Sequence, residues 1–151
     1  MMITPHVLVG AALATRISNP FALVFFAVVS HFVIDMIPHH DYDINPLKKK
    51  FYKIFIDGAI AAASLWYFIA PMPFEQQALC ALGGFFGIFP DGLWMLHRLF
   101  GWKFLGPYVN FHYKLHWLLI RDNNKAHPAI GFATQAIAVV LSFYALSPLF
   151  L

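Results

Sequence analysis

Long apolar segments separated by short polar ones dominate the pattern of this chain. Five of them can be delimited: residues 5–15, 20–37, 51–70, 76–96 and 128–151. A helix needs about 20 residues to cross the roughly 30 Å hydrocarbon core of a bilayer. We predict membrane helices over 20–37, 51–70, 76–96 and 128–150, which are close to this length. The first segment is shorter, and it is either a short tilted span or a half-helix covered by the other helices.

The composition explains why these segments cannot belong to an ordinary soluble domain. Of the 151 residues, 60% are hydrophobic and only 11% are charged, with a mean hydropathy of +0.67. Soluble domains carry about 45–50% apolar and about 25% charged residues. The same figures exclude disorder, a coiled coil and a disulfide scaffold. The chain is predicted to be one all-α, polytopic membrane domain over residues 1–151, with about four to five transmembrane helices.

The few basic residues indicate an orientation and exclude one class of partner. Lys48, Lys49, Lys50 and Lys53 flank the start of the third segment, and five more basic residues lie between the fourth and fifth. Basic loops face the cytoplasm, so both regions are predicted to be cytoplasmic. Residues 101–127 are too polar to span and are predicted to form an interfacial helical segment. Nucleic-acid-binding proteins concentrate their basic residues in a dense patch or stripe. A net charge of +3 spread in this way therefore excludes nucleic acid as a partner.

Three acidic residues lie inside the apolar segments, where ionisable side chains are expensive and usually functional. They are Asp35, Asp57 and Asp91, and the predicted topology brings all three to a similar depth. His31 and Asp35 are spaced i, i+4, which places them on one helix face, where both can hold one metal ion. The alternatives are a buried His–Asp hydrogen bond for this pair and a helix-packing contact for Asp57.

Further histidines are expected at the same level. His6 begins the first segment, His39 and His40 follow Pro38, and His112 and His116 are again spaced i, i+4. Imidazole with carboxylate suits zinc, manganese or iron better than a thiolate metal. A non-functional interpretation is also open for some of these residues. His40, Asp41 and Asp43 would then belong to a solvated surface loop, and His97 and Arg98 would extend their polar ends to the membrane interface.

Short motifs of the chain resemble a family of membrane proteins. They are TPH (4–6), SHFVIDMIPHHD (30–41), GIFPDG (87–92) and the late histidine pair. They are similar to those of small prokaryotic inner-membrane proteins classed as metal-dependent hydrolases, a group that includes the LexA-binding inner-membrane proteins. The resemblance touches residues 1–117. It implies metal-ligand roles for His6, Asp91 and His116 and a multi-pass inner-membrane location. The family spaces its late histidines one residue further apart, which leaves the role of His112 in doubt.

These observations lead to a hypothesis of metal-dependent hydrolysis at the cytoplasmic headgroup boundary, on a phospholipid or lipid-linked phosphoester. The expected metal ligands are His31, Asp35, Asp91, His6 and His116, with zinc as the first choice of metal and manganese as the second. Asp57 or His39 would act as general base or orienting residue. Lys48, Lys49, Lys50 and Arg98 would bind an anionic lipid substrate. No soluble protein partner is indicated, and a homo-oligomer stays open. The alternative is a non-catalytic protein, either a metal or proton carrier or a partner-binding protein.

Overall fold

The protein is a bundle of α-helices. The structure, a computed structural model, describes residues 1–41, 47–116, 118 and 128–147. Within these residues the helices are α1 (Ile3–Leu13), α2 (Pro20–Met36), α3 (Leu47–Ile69), α4 (Phe74–Phe100), α5 (Gly106–His116) and α6 (Pro128–Leu146). A single 3₁₀ turn, Lys103–Leu105, precedes α5. The predicted all-α class is confirmed for this part of the chain.

Three helices are long and apolar enough to cross a membrane: Phe51–Ile69 within α3, Phe74–Phe100 and Pro128–Leu146. Their outer surfaces carry large hydrophobic side chains such as Trp66, Phe85 and Val140, each more than half exposed. Patches of this kind are unfavourable in water and are natural against lipid. α2 has 17 residues and is shorter. That four to five helices cross the bilayer therefore stays a prediction.

α1 is the central helix and is shorter than these three. Its 11 residues give a length of about 17 Å, which is well below the thickness of a bilayer core. It packs against α2, α3, α4 and α6, and Pro5, His6, Leu8, Gly10 and Ala11 are buried. The structure shows that α1 is covered by other helices, and whether it crosses the bilayer stays a prediction.

Glycines allow α1 and α4 to touch through their backbones. A Cβ added at Gly10 would overlap the carbonyl oxygen of Gly83, and one added at Gly87 would overlap the carbonyl oxygen of His6. Gly83 and Gly87 are one helical turn apart, the small-xxx-small arrangement that brings membrane helices close together. This contact fixes the height of His6 against α4.

The two ends of the bundle differ in character. At one end, the start of α1 meets the end of α2, the first turns of α3 and the start of α6, through contacts from Met1 to Asp35, Ile3 to Asp57 and Met2 to Gln135. The other end is filled by an apolar cluster that includes Leu8, Leu23, Cys80 and Leu146. The two groups of His and Asp side chains among the described residues therefore lie at one end.

α4 extends further than the sequence pattern predicts. Pro90 lies within it without ending it, and the helix continues past residue 96 to Phe100. It stops at Gly101, which adopts a left-handed conformation (φ 68°) and donates its N–H to the carbonyl oxygen of His97 at 2.9 Å. Glycine is the residue that takes this conformation without a steric penalty. The extension places Asp91 inside a continuous helix instead of near its end.

Candidate metal centre

Four side chains from three helices converge at the polar end of the bundle. They are His31 and Asp35 of α2, Asp91 of α4 and His112 of α5, called here the first group. One donor atom from each lies within 4.8 Å of the others. His31, Asp35 and His112 are buried, and Asp91 is about one quarter exposed, at 28%.

The separations between these donors match those around a single ion. His31 Nε2 lies 3.1 Å from His112 Nε2, 3.3 Å from Asp35 Oδ2 and 3.8 Å from Asp91 Oδ1. His112 Nε2 lies 3.4 Å from Asp35 Oδ2 and 3.6 Å from Asp91 Oδ1. Donors bound tetrahedrally to zinc at 2.0–2.2 Å are about 3.3–3.6 Å apart. The first group is therefore spaced as a two-nitrogen, two-oxygen ligand set.

The orientation of His31 is fixed by a backbone contact. Its Nδ1 donates a hydrogen bond to the carbonyl oxygen of Gly87 at 3.0 Å. The carbonyl can only accept, so Nδ1 carries the proton and a neutral ring presents a lone pair at Nε2. That lone pair faces the carboxylates of Asp35 and Asp91, which also present lone pairs. Only a cation between them, or a proton on the ring, makes this arrangement favourable.

Buried polar atoms without hydrogen bonds strengthen this interpretation. Within the described residues, Asp35 Oδ2 and both ring nitrogens of His6 lack a hydrogen-bond partner. His6 Nε2 lies 3.1 Å from Asp35 Oδ1 and 3.8 Å from Asp91 Oδ2, and its ring stacks on that of His31 with centroids 4.2 Å apart. Buried polar groups are almost always satisfied, and a bound ion would satisfy these atoms.

A second group lies on the other side of Asp35. It consists of Asp35, His39 and His116, whose donor atoms also lie within 4.8 Å of one another. His39 Nε2 lies 3.1 Å from His116 Nε2, and Asp41 Oδ2 lies 3.4 Å from each of these nitrogens. Desolvation raises the pKa of Asp41, but its contacts with His116 and His39 outweigh that effect and hold the pKa below its usual range.

The amine of Met1 contacts the second group as well. Its nitrogen lies 2.6 Å from Asp35 Oδ1, 2.7 Å from His39 Nε2 and 3.1 Å from Asp41 Oδ1. These three atoms therefore already face one positively charged group.

His112 is the residue that sequence reasoning undervalued. The family motif left its role in doubt, yet it belongs to the first group while His116 belongs to the second. Both lie on α5, where i, i+4 spacing puts them on one face.

Tyr108, one turn before His112, stacks on the ring of His112 with ring planes 8° apart and donates its hydroxyl to the carbonyl oxygen of Pro90 at 2.7 Å. Burial, together with the carboxylates of Asp91 and Asp35, raises the pKa of Tyr108.

Asp57 lies in neither of the two groups found among the described residues. Its carboxylate accepts hydrogen bonds from the backbone N–H groups of Ile3 and Thr4, at 2.6 and 3.3 Å, and from the Thr4 hydroxyl at 2.5 Å. The first N–H groups of a helix have no partner within the helix, and a carboxylate there is a favourable cap. The side chain on α3 thus holds the start of the helix that carries His6.

The remaining predicted site residues are placed as follows. The Arg98 guanidinium lies 5.4 Å from the ring centroid of Trp94, and nearby His97 Nδ1 donates to the carbonyl oxygen of Trp102 at 2.8 Å. Lys48, Lys49 and Lys50 belong to the first turn of α3, and their side chains lie outside the described residues. The proposed binding of an anionic headgroup by these cations stays a prediction.

Comparisons with protein-family models, with curated proteins and with solved structures find no match to this chain. The family resemblance of its motifs therefore stays an expectation.

Proposed function

We propose that this protein is a membrane-embedded, metal-dependent hydrolase, with its metal held by His31, Asp35, Asp91 and His112. The observation that carries the proposal is the ring of donors 3.1–3.8 Å apart around a buried carboxylate oxygen without a hydrogen bond. Two imidazoles and two carboxylates form a ligand set of borderline hardness, which suits zinc first and manganese second.

A divalent ion bound there would supply Lewis acidity toward water and toward the oxygen of a scissile ester. Residues around the ion would orient its ligands and control access to it. The Gly87 carbonyl orients His31, and such support typically changes metal affinity or activity 10–100-fold. Asp91 is the most exposed member of the first group, so it marks the side from which a substrate enters. His6 lies against both carboxylates and is placed to exchange a proton there.

A groove on the outside of the bundle supports a lipid as the substrate. It encloses about 730 Å³ between α3 and α6, with the start of α1 as its floor. Its walls are mostly apolar, including Ile56, Ile60 and Val139, whereas Lys53 and Gln135 are polar. Gln135 donates to the carbonyl oxygen of His40, next to the second group. An acyl or isoprenyl chain in this groove would bring an anionic phosphoester headgroup to the polar end.

The distribution of polar residues disfavours the alternative of a carrier. A transport path needs polar side chains across the depth of the membrane. In the described helices the His/Asp groups lie at one end, and the opposite end is an apolar core containing Leu8, Leu23 and Leu146. Chemistry at one face of the bilayer, which the basic residues predict to be the cytoplasmic face, fits this arrangement better than transfer through it.

The test is hydrolysis by the purified full chain in detergent, with zinc and manganese added separately. The substrates are phosphatidic acid, an isoprenyl diphosphate and the soluble diester bis(p-nitrophenyl) phosphate. We expect His112→Ala to lower kcat/KM about 10²-fold or more and to release its metal. The matched control is His97→Ala, because the half-buried His97 belongs to neither group of donors and its ring bonds the Trp102 carbonyl.

Two outcomes would overturn the proposal. In the first, wild type cleaves none of these substrates and instead moves metal across proteoliposome membranes, which establishes the carrier. In the second, His112→Ala and His97→Ala hydrolyse substrate equally well, which moves the chemistry away from the first group.

A further inference from the structure

Asp35 presents its two carboxylate oxygens to two different sets of donors. Oδ2 faces His31 and His112 of the first group, whereas Oδ1 faces the second group, 3.9 Å from His39 Nε2. We propose that the second group binds a second divalent cation and that Asp35 bridges the two metal positions. This inference rests on the metal centre of the proposed function and is independent of whether the protein hydrolyses anything.

The second group has the spacing of a ligand set. The Nε2 atoms of His39 and His116 are 3.1 Å apart, and Asp41 Oδ2 completes a triangle at 3.4 Å from each. Donors on one zinc or manganese ion are separated by about 3.0–3.6 Å. Asp35 Oδ1 adds a fourth donor from the buried side, and Asp41, which is 48% exposed, lies on the open side.

His39 is oriented in the same way as His31. Its Nδ1 donates to the carbonyl oxygen of Ile37 at 2.7 Å, which leaves a lone pair at Nε2 in the neutral ring. His39 is 4% exposed, and that lone pair faces the positively charged Met1 nitrogen at 2.7 Å. Two buried histidines, each with Nδ1 fixed on a backbone carbonyl and Nε2 turned toward Asp35, are the outer-shell pattern typical of metal ligands.

His6 lies beside the carboxylate that the two positions share. It is fully buried, and its ring nitrogens lack hydrogen bonds within the described residues. Its Nε2 faces Asp35 Oδ1 and Asp91 Oδ2, the oxygens that the first group leaves unused. The contacts of the Met1 nitrogen with Asp35, His39 and Asp41 show that these donors already accommodate positive charge. A bound ion would displace that nitrogen.

Two ions bridged by one carboxylate would lie about 3.5–4 Å apart, the separation typical of two-metal phosphoesterases. In such sites one ion stabilises the attacking oxygen and the other the leaving oxygen. The second position also explains why His39, which the sequence suggests as a base, lies among ligand-type donors.

The experiment counts metal ions. The full chain is saturated with zinc in detergent, desalted and analysed by mass spectrometry, and we expect two ions per wild-type chain. His116→Ala and His112→Ala should each retain one, Asp35→Asn should retain fewer than one, and the control His97→Ala should retain two. Circular dichroism and size exclusion confirm that each variant is folded. If His116→Ala does not fold, His39→Gln replaces it with the same expected count of one.

Loading with Mn²⁺ adds a spectroscopic measurement. Wild type should give the paramagnetic resonance spectrum of a spin-coupled manganese pair, and His116→Ala that of isolated Mn²⁺. One ion per wild-type chain at saturation, or two ions retained by His116→Ala, would overturn the second position. A wild type with two ions that hydrolyses nothing supports this inference while the proposed function fails.

Discussion

His31 donates its Nδ1 proton to the carbonyl oxygen of Gly87 at 3.0 Å, across the contact between α2 and α4. The same glycine lies against the carbonyl oxygen of His6 on α1, so closely that no side chain fits between them. One residue without a side chain therefore sets the positions of two histidines from two other helices. The packing of the bundle and the geometry of the candidate metal centre depend on the same backbone.

The first prediction concerns this glycine. Gly87→Ala introduces a Cβ that overlaps the His6 carbonyl, and it should destabilise the protein by about 1–3 kcal/mol and reduce bound metal. For a chain of this size that is roughly 3–10 °C in Tm, measured by thermal unfolding in detergent. Gly92→Ala on the same helix is the control, since a Cβ there meets nothing within 4 Å. Alanine should raise or maintain stability at that position. Equal Tm values for the two variants would contradict the close packing.

The second prediction separates two roles for Asp57. As a cap on α1, Asp57→Ala should lower stability by about 1–2 kcal/mol, because it leaves the N–H groups of Ile3 and Thr4 without their acceptor. The kcat of metal-loaded protein should change less than about 3-fold, well below the effect of losing a general base. Both quantities can be measured on one preparation. A 10²-fold loss of kcat with an unchanged Tm would instead assign Asp57 to the chemistry.

The third prediction tests the groove. Ala136→Trp places a large ring among its lining residues, so it should raise KM for a long-chain lipid phosphate about 10-fold without affecting the soluble diester. Ala133→Trp adds the same ring to an exposed position of the same helix that does not line the groove. This control should leave both KM values unchanged. A parallel rise of KM for lipid and soluble substrates would exclude the groove as the site of the apolar chain.

The fourth prediction concerns the support of His112. The raised pKa of Tyr108 keeps its hydroxyl protonated, and the bond to the Pro90 carbonyl joins α5 to the helix that carries Asp91. Tyr108→Phe should preserve the ring stacking but weaken metal affinity about 10-fold, as measured by competition with a chelating dye. Tyr113→Phe on the same helix removes a hydroxyl from a 41% exposed side chain and should have no such effect. Identical affinities in the two variants would show that the bond does not support the metal centre.

Much of the fold could be predicted from the sequence, because an apolar segment of about 20 residues directly indicates a helix. The segments at 20–37, 51–70, 76–96 and 128–151 correspond to α2, α3, α4 and α6. Their boundaries were less accurate, because Pro90 is accommodated inside α4 and polar residues extend α3 and α4 beyond the apolar core. The burial of α1 among four helices is a tertiary property that the segment alone does not encode.

The same distinction applies to the candidate site. The i, i+4 spacing of His31 and Asp35 predicted that they share a helix face. The predicted topology placed Asp91 at a similar depth in the membrane. The hydrogen bonds of Asp57 to α1 and the separation of His112 from His116 into two groups depend on which faces the helices turn toward each other. No spacing along the chain reveals that Asp35 serves both groups.

The burial of α1 also constrains the biogenesis of the protein. A helix of about 17 Å cannot hold its own place in a bilayer, and its first N–H groups find their acceptor only on α3. α1 therefore reaches its final position only after α3, α4 and α6 have been synthesised and have packed around it. His6 joins the carboxylates of Asp35 and Asp91 as part of that late packing.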